Sequence, residues 1–226
     1  MKFKAIAVDI DGTITSMDRR LDMVAIESLR SLNVPVVLST GNILCYAHAA
    51  AKLIGVGGIV IAENGGIVSP GFDTVPLMSE YVEECQRAFD LLSEKFELIK
   101  LDSEHRKTEI VLRRNFDVQL AKQMLYNYGF NLEIIDTHFA IHIKSREVNK
   151  GTGLIKVAEL MGIEPKDFVA IGDSVNDIEM LEVAGFSIAV GNADMELKQL
   201  ADFTASSSYG AGTAEGINYL QEHHLI

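Results

Sequence analysis

The chain has 226 residues, of which 48% are hydrophobic and 23% charged, a composition that excludes a disordered or fibrous protein and permits a sizeable core. Its 32 acidic and 20 basic residues give a formal net charge of -12. Because such a chain repels polyanions at long range, we expect no nucleic acid as a main partner. A small phosphate would need a local positive site, such as a metal ion or a lysine.

The first part of the chain, up to Ser69, alternates short apolar strands with amphipathic helices. The predicted strands span residues 3–8, 35–39, 58–62 and 67–69, and the predicted helices span residues 22–32 and 43–54. Asn64-Gly65-Gly66 predicts a tight turn between the last two strands. Continuous apolar strands that alternate with helices are typical of a parallel sheet covered on both faces.

The order of the predicted elements changes after Pro76. Helices are predicted at residues 79–96 and 117–128, half-buried strands at 97–101 and 108–113, and a hairpin at 131–135 and 138–143. This order of helix, two strands, helix and two strands is typical of an α+β module. The sequence therefore predicts that a separate domain is inserted here.

From Lys150 on, the first pattern returns. Helices are predicted at residues 150–161, 176–184 and about 193–200, and strands at 168–171 and 187–190. We therefore predict an α/β fold, with a doubly wound, mostly parallel sheet in a Rossmann-like core of residues 1–78 and 150–226. A smaller α+β domain of residues 79–149 is inserted into this core.

The cysteines and the apolar runs bear on the location of the protein. Cys45 and Cys85 are too few for a disulfide scaffold, so we expect free thiols in a reducing compartment. The apolar stretch before Asp9 is too short for a signal peptide, and no apolar run approaches the roughly 18 residues of a membrane span. We expect a cytoplasmic protein that does not bind membranes.

Polar residues that could carry phosphate chemistry follow the predicted core strands or open a helix near them. They are Asp9, Asp11, Thr40, Lys150, Asp173 and Asp177. Because ligands of open parallel sheets bind outside the carboxyl ends of the strands, we expect these groups to meet at one edge. Four carboxylates there would repel one another unless they held a cation. Oxygen ligands without cysteine or histidine favour Mg²⁺.

A magnesium ion beside a lysine is suited to bind a phosphoryl group. Asp9 could then attack phosphorus and form an aspartyl-phosphate, while Asp11 protonates the leaving oxygen and later accepts a proton from water. A single aspartate after a strand is more often a helix cap or turn residue, which is our interpretation of Asp22 and Asp167. The hypothesis therefore rests on the convergence of the whole set.

The set resembles the motifs of a known superfamily, the haloacid dehalogenase-like hydrolases. Asp-Ile-Asp-Gly-Thr at residues 9–13, Ser-Thr-Gly at 39–41, Lys150 and Gly-Asp-Ser-Val-Asn-Asp at 172–177 match its motifs in order. The inserted domain lies between the second and third motifs and looks like the α+β cap of the Cof-type branch, although it is short for that branch. The resemblance covers the whole core.

The resemblance implies a role for each acidic residue of the set. Asp9 would be the nucleophile and a metal ligand. Asp11 would be the acid/base and would offer its backbone carbonyl to the metal. Asp173 would bind Mg²⁺ directly, and Asp177 directly or through water.

The resemblance also implies how the phosphoryl group is held. Thr40, together with Gly41 of the same motif, and Lys150 would bind its oxygens. Many Cof-type members have arginine after Thr-Gly, whereas this chain has Asn42. The run Ser-Thr-Gly-Asn-Ile-Leu-Cys-Tyr-Ala, with the short cap, resembles the archaeal phosphoglycolate phosphatases, which are also similar to sucrose-phosphate phosphatases.

The expected function is therefore Mg²⁺-dependent hydrolysis of a small phosphomonoester, with 2-phosphoglycolate as the first choice. A sugar phosphatase or phosphomutase on the same scaffold is the alternative. A receiver-type phospho-accepting domain belongs to a different class, but such domains are about half this length and have no cap. A degenerate phosphate-binding protein would have lost a motif position, and none is lost here.

The cap is expected to close over the site, with hinges near Pro76 and Val148, and to set specificity. Arg113, His142 and Lys144 are candidates for that role.

Overall fold

The computed structural model describes residues 2–137 and 140–226. The chain divides into two compact units. Met1–Leu77 and Asn149–Ile226 form one, here called the core unit, and Met78–Val148 forms the other, here called the insert unit. In the described part of the chain, no helix is both long and apolar enough to cross a membrane.

The described residues form strands and α-helices that we number in chain order. The strands are β1 Ala5–Asp9, β2 Val36–Ser39, β3 Val60–Ala62, β4 Ile67–Ser69, β5 Leu77–Met78, β6 Lys100–Leu101, β7 Ile110–Leu112, β8 Leu132–Asp136, β9 Ile141–Ser145, β10 Phe168–Gly172, β11 Phe186–Ala189 and β12 Phe203–Thr204. The helices are α1 Met23–Arg30, α2 Leu44–Ile54, α3 Val82–Ser93, α4 Val118–Asn127, α5 Lys150–Met161, α6 Ile178–Val183, α7 Met195–Leu200 and α8 Tyr209–Glu222.

The main sheet has the strand order β12-β11-β10-β1-β2-β3-β4-β5. From β12 to β3 each neighbouring pair is parallel, and β4 then runs antiparallel to β3. Every residue of β1 and of β10 is buried, as expected for central strands with helices on both faces. The predicted fold class is confirmed.

The insert unit has its own antiparallel sheet, in the order β6-β7-β9-β8. Helices α3 and α4 pack on it, and the side chains between them include Leu92, Leu112 and Ile143. Asp117 caps α4, because its carboxylate accepts a hydrogen bond from the Leu120 N–H. The predicted order of helices and strands is confirmed for this unit.

Several predicted boundaries in the insert unit are wrong. The helix predicted from residue 79 begins at Val82, and residues 79–81 connect it to the short strand β5 without helical structure. The strand predicted at 97–101 is reduced to Lys100–Leu101. The strand predicted as half-buried at 108–113 is buried over its observed length, Ile110–Leu112. The predicted strand 138–143 starts in residues outside the described part, and β9 begins at Ile141.

Helix α8 and strand β12 were not predicted at all. The sequence of α8 contains Gly210, Gly212 and Gly216, each of which disfavours a helix by about 1 kcal/mol relative to alanine. A Cβ at Gly210 would lie 2.2 Å from the Cβ of Asp22, and one at Gly216 would lie 2.9 Å from the Ile188 Cγ2. The glycines therefore allow close packing against α1 and the sheet, and this packing overrides the local propensity.

Candidate active site

The strand order places three of the predicted residues side by side. Strand β1 lies between β10 and β2, and all three run parallel. Asp9 is the last residue of β1, Thr40 follows the end of β2, and Asp173 follows the end of β10. Their side chains therefore start from the same edge of the sheet, where ligands of this architecture bind.

Lys150 is the first residue of α5, and its side chain is completely buried. Its Nζ donates hydrogen bonds to Oδ1 of Asp9 and to Oδ1 of Asp177, each at 2.6 Å. A buried ammonium requires such partners. Burial alone would lower the pKa of Lys150, but the charges of Asp177 and Asp9 raise it above its ordinary value, so the side chain stays charged.

A capping box at the start of α5 fixes the position of Lys150. The side chain of Asn149 accepts from the Thr152 N–H at 2.8 Å, and the Thr152 hydroxyl accepts from the Asn149 N–H at 3.1 Å. Gly65 lies against this turn with φ of +95°, and a Cβ there would lie 1.9 Å from the carbonyl oxygen of Asn149. The turn after β3 and the start of α5 therefore fit together only with glycine at position 65.

Carboxylate oxygens of Asp9, Asp173 and Asp177 all lie within 4.8 Å of one another. Burial, opposed by the Lys150 ammonium and reinforced by the charge of Asp177, raises the pKa of Asp9 to about 7. Burial and the charges of Asp9 and Asp177 raise the pKa of Asp173 to about 8. One ammonium is thus insufficient to balance the three carboxylates.

This group has the properties of a site for a hard divalent cation. Its ligand atoms are all carboxylate oxygens, the donors that Mg²⁺ prefers. In addition, Oδ2 of Asp9 is buried and has no hydrogen-bond partner among residues 2–137 and 140–226. A buried acceptor without a donor is costly, and a cation would satisfy it. The residues present therefore fit the ion that the sequence predicts.

Asp177 is held by donors on both of its oxygens. Besides the Lys150 ammonium on Oδ1, its Oδ2 accepts the backbone N–H groups of Asp173 and Ser174 at 3.1 and 3.2 Å. Asp177 ends a short 3₁₀ turn, and its side chain is fully buried. It therefore fixes both the lysine and the loop that carries Asp173.

Asp173 is oriented by Thr13 and Asn192. The Thr13 hydroxyl donates to Asp173 Oδ1 at 3.3 Å, and Asn192 Nδ2 donates to Asp173 Oδ2 at 3.3 Å and to the carbonyl of Gly12 at 3.0 Å. Gly12 has φ of +97°, and a Cβ there would lie 2.2 Å from Asp173 Oδ2. Sequence reasoning missed Asn192. Its position shortly after the carboxyl end of β11 could have identified it, because the other site residues also follow core strands.

Thr40 is buried and connects β2 to the turn after β3. Its carbonyl accepts from the Asn64 N–H at 3.1 Å, and its hydroxyl accepts from the Asn42 N–H at 3.0 Å. A Cβ on Gly41 would lie 2.9 Å from the Asn64 Oδ1, so the two loops approach closely. Asn176 Nδ2 donates to the same Oδ1 at 3.1 Å. The Thr40 loop is therefore tied to the loop after β10.

Asp11 does not join the carboxylate group through its side chain. Its Oδ2 accepts from Asn42 Nδ2 and its Oδ1 from the Tyr46 hydroxyl, each at 3.3 Å, and Arg19 Nε lies 3.7 Å from Oδ1. Burial and the charge of Asp11 raise the pKa of Tyr46 above its ordinary value, so its hydroxyl remains a donor. Sequence reasoning noted Asn42 only as a departure from a motif, quoted Tyr46 only as part of the run of residues 39–47, and missed Arg19, which belongs to no motif.

In the insert unit, the three specificity candidates differ in their surroundings. Arg113 is exposed. His142 is buried, with Nδ1 at 3.1 Å from each carboxylate oxygen of Glu109. Lys144 is buried and donates to Glu133 and to the carbonyl of Val148. Their role in specificity stays a prediction.

Comparison with known proteins assigns the chain to a family. The family model of haloacid dehalogenase-like hydrolases matches residues 6–105 and 78–217. The chain belongs to this family. Over all 226 residues, and over the full length of each relative, it is 55% identical to the phosphoglycolate phosphatases of Methanococcoides burtonii and Methanosarcina acetivorans.

A solved structure from Thermoplasma acidophilum has the same fold as this family member. It matches with a TM-score of 0.88 and 24% identity, over 100% of both chains. The predicted resemblance and the prediction that the chain is an enzyme of the phosphatase type are confirmed. Neither the receiver-type domain nor the degenerate binding protein has support.

Proposed function

We propose that this chain is a Mg²⁺-dependent phosphatase that hydrolyses a small phosphomonoester, 2-phosphoglycolate first among them, through an aspartyl-phosphate on Asp9. One observation carries the mechanism. The buried Lys150 ammonium holds Oδ1 of Asp9, and Oδ2 of the same carboxylate has no hydrogen-bond donor among the described residues. The names of the relatives at 55% identity support the choice of substrate.

Asp9, Asp173 and Asp177 would hold the ion, with the backbone carbonyl of Asp11. The bound ion would offset the negative charge of the phosphoryl oxygens beside these carboxylates. Lys150 would contribute a fixed positive charge that needs no reorganisation, because its Nζ is already held by two hydrogen bonds. Thr40, with Gly41, would bind the phosphoryl oxygens from the end of β2.

In the first step, a carboxylate oxygen of Asp9 forms a bond to phosphorus while the bond from phosphorus to the ester oxygen breaks. The Asp11 carboxyl group gives its proton to that leaving oxygen, and the alcohol is released. For 2-phosphoglycolate the alcohol is glycolate. Asp11 is left as a carboxylate and can act as a base.

In the second step, a water oxygen attacks phosphorus and the bond to Asp9 breaks. The Asp11 carboxylate takes a proton from that water, which restores the acid for the next turnover. Inorganic phosphate leaves, and the net reaction is the ester plus water giving the alcohol plus phosphate.

The insert unit, which the sequence predicts as a domain of residues 79–149, is proposed to act as a cap that excludes bulk water from the phosphoaspartate. Its hinges would lie near Pro76 and Val148, and Arg113, His142 and Lys144 stay the candidates for specificity. Hydrogen exchange at these hinges should slow when phosphate and Mg²⁺ bind together. Unchanged exchange at both hinges would contradict closure. The free thiols of Cys45 and Cys85 are compatible with the proposed cytoplasmic location.

A phosphate-release assay tests the proposal. The panel contains 2-phosphoglycolate and several sugar phosphates, with Mg²⁺ or with a chelator. We expect turnover only with the metal and the highest kcat/KM for 2-phosphoglycolate. A preference for a sugar phosphate would reject the substrate and favour the sugar phosphatase alternative. Transfer of the phosphoryl group to another sugar hydroxyl, in place of its release as inorganic phosphate, would instead indicate a phosphomutase.

A further inference from the structure

The segment between β2 and α2 supplies two hydrogen-bond donors to the Asp11 side chain. Asn42 Nδ2 donates to Oδ2 and the Tyr46 hydroxyl donates to Oδ1, each at 3.3 Å. The two residues are four positions apart, with Asn42 just before α2 and Tyr46 in its first turn. One donor therefore acts on each oxygen of the carboxyl group.

The backbone of Asn42 is itself fixed on both sides. Its N–H donates to the Thr40 hydroxyl at 3.0 Å, and its carbonyl accepts from the Glu63 N–H at 2.9 Å. Tyr46 follows in the helix, with its N–H donating to the carbonyl of Ile43 at 3.1 Å. The donors to Asp11 and the Thr40 hydroxyl thus sit on one short, rigid segment.

Two donors on different oxygens have an effect that one donor lacks. A carboxyl group held at one oxygen can still turn about its Cβ–Cγ bond, whereas a group held at both oxygens keeps its plane. A proton can be delivered only if the carboxyl oxygen lies within hydrogen-bond reach of the leaving oxygen. Arg19 Nε is farther from Oδ1, at 3.7 Å, and its side chain is 46% exposed, so it constrains the plane less.

We propose that Asn42 and Tyr46 are positioning residues that hold the Asp11 carboxyl group in the plane required for proton transfer to the leaving oxygen. The inference rests on the proposed role of Asp11 as the acid/base. It also gives Asn42, which stands where many Cof-type members have arginine, a function in the reaction.

Leaving-group dependence tests the inference. Glycolate is a poor leaving group that needs a proton, whereas p-nitrophenolate leaves readily as an anion. Because kcat/KM reports only the steps up to release of the alcohol, Asn42→Leu and Tyr46→Phe should each lower kcat/KM for 2-phosphoglycolate about 10- to 100-fold, as expected for a misplaced general acid. The kcat/KM for p-nitrophenyl phosphate should fall less than about threefold, because its leaving group needs no proton and hydrolysis of the shared phosphoaspartate does not enter kcat/KM. Tyr126→Phe, at an exposed tyrosine of the insert unit, is the matched control.

Equal losses of kcat/KM with both substrates would overturn the inference, because a general disturbance of the site does not depend on the leaving group. Thermal melting identifies a variant that has lost its fold, and Tyr46→Phe, which keeps the ring, then carries the test. In an Asp11→Asn background, adding Tyr46→Phe should change kcat/KM for 2-phosphoglycolate less than about twofold. A full additional loss would show that Tyr46 acts elsewhere. If the wild-type chain hydrolyses neither ester, the proposed function itself fails.

Discussion

Lys150 Nζ lies 2.6 Å from Oδ1 of Asp9, and the lysine side chain has no exposure to solvent. The residues are 141 positions apart in the sequence. The contact therefore depends on the complete core unit and connects the end of the central strand with the start of α5. A charge pair in this position serves the fold and the proposed chemistry together.

Replacing this lysine should damage both stability and activity. Lys150→Met keeps the length of the side chain but leaves the buried carboxylates of Asp9 and Asp177 unpaired, so the free energy of unfolding should fall by about 3–5 kcal/mol. Turnover should fall about 100- to 1,000-fold, because a fixed positive charge beside the phosphoryl group is lost. Urea unfolding and phosphate release measure the two effects. Lys156→Met, on the same helix, should change the free energy of unfolding and the turnover only a little. Losses as large as those of Lys150→Met would refute this explanation.

Asn192 should affect metal binding through Asp173. Its amide donates to Asp173 Oδ2 and to the Gly12 carbonyl. Asn192→Ala removes this donor, so the Asp173 carboxylate is no longer held in one orientation. We expect the Mg²⁺ concentration for half-maximal activity to rise about 10- to 100-fold. Calorimetric titration with Mg²⁺ should show the same weakening without any substrate. Asn218→Ala, at an exposed position of α8, is the control, and an unchanged Mg²⁺ affinity in Asn192→Ala would contradict the assignment.

A glycine in α8 should resist the substitution that helix propensity favours. Gly210→Ala improves the propensity by about 1 kcal/mol, but its Cβ would collide with Asp22 at 2.2 Å. Overpacking of this kind costs about 1–3 kcal/mol, so we expect a net loss of stability. Gly57→Ala, where no atom lies within 4 Å of the new Cβ, should be neutral or slightly stabilising. Chemical denaturation of both variants tests this prediction, and a Gly210→Ala variant more stable than the wild type would contradict it.

Glu215 should make stability depend on acid pH. Backbone N–H groups of Ser206 and Ser207 donate to its carboxylate and lower its pKa to about 2. Because the pKa is lower in the folded state, the contribution is complete above the unfolded value near 4.5 and is lost as the pH falls towards 2. Solvent screening limits it to about 1 kcal/mol. The stability gap between wild type and Glu215→Gln should shrink from pH 5 to pH 3, whereas Glu222→Gln should show no such gap. A constant gap would contradict the linkage.

The core strands and the ends that carry the site were predictable from the sequence. Continuous apolar runs ending in Asp9 and before Asp173 identify parallel strands and their carboxyl edge, since the side-chain pattern and the ligand position follow from the same geometry. Asp22, which the sequence analysis interpreted as a helix cap or turn residue, likewise caps α1 by accepting a hydrogen bond from the Val24 N–H two positions away. Local rules of this kind can be read along the chain.

What the sequence did not reveal depends on contacts between distant segments. Helix α8 was not predicted because its three glycines disfavour a helix locally. The close packing that they allow on Asp22 and Ile188 exists only in the folded chain. The hydrogen bonds of Asn42 to Asp11 and of Asn192 to Asp173 join separate loops. Neither asparagine lies in a sequence pattern that would identify the aspartate to which it donates.

Detection of phosphorus on Asp9 tests the central claim most directly. Wild type and Asp11→Asn are mixed with 2-phosphoglycolate and Mg²⁺, quenched in acid during turnover and digested for peptide mass spectrometry. We predict a phosphoryl group on the peptide containing Asp9 in the wild type and none in Asp9→Asn. With p-nitrophenyl phosphate, whose leaving group needs no proton from Asp11, Asp11→Asn should carry more of it than the wild type, because only hydrolysis of the intermediate is slowed. Steady phosphate release by the wild type without any phosphorylated Asp9 peptide, or substantial turnover by Asp9→Asn, would contradict the account.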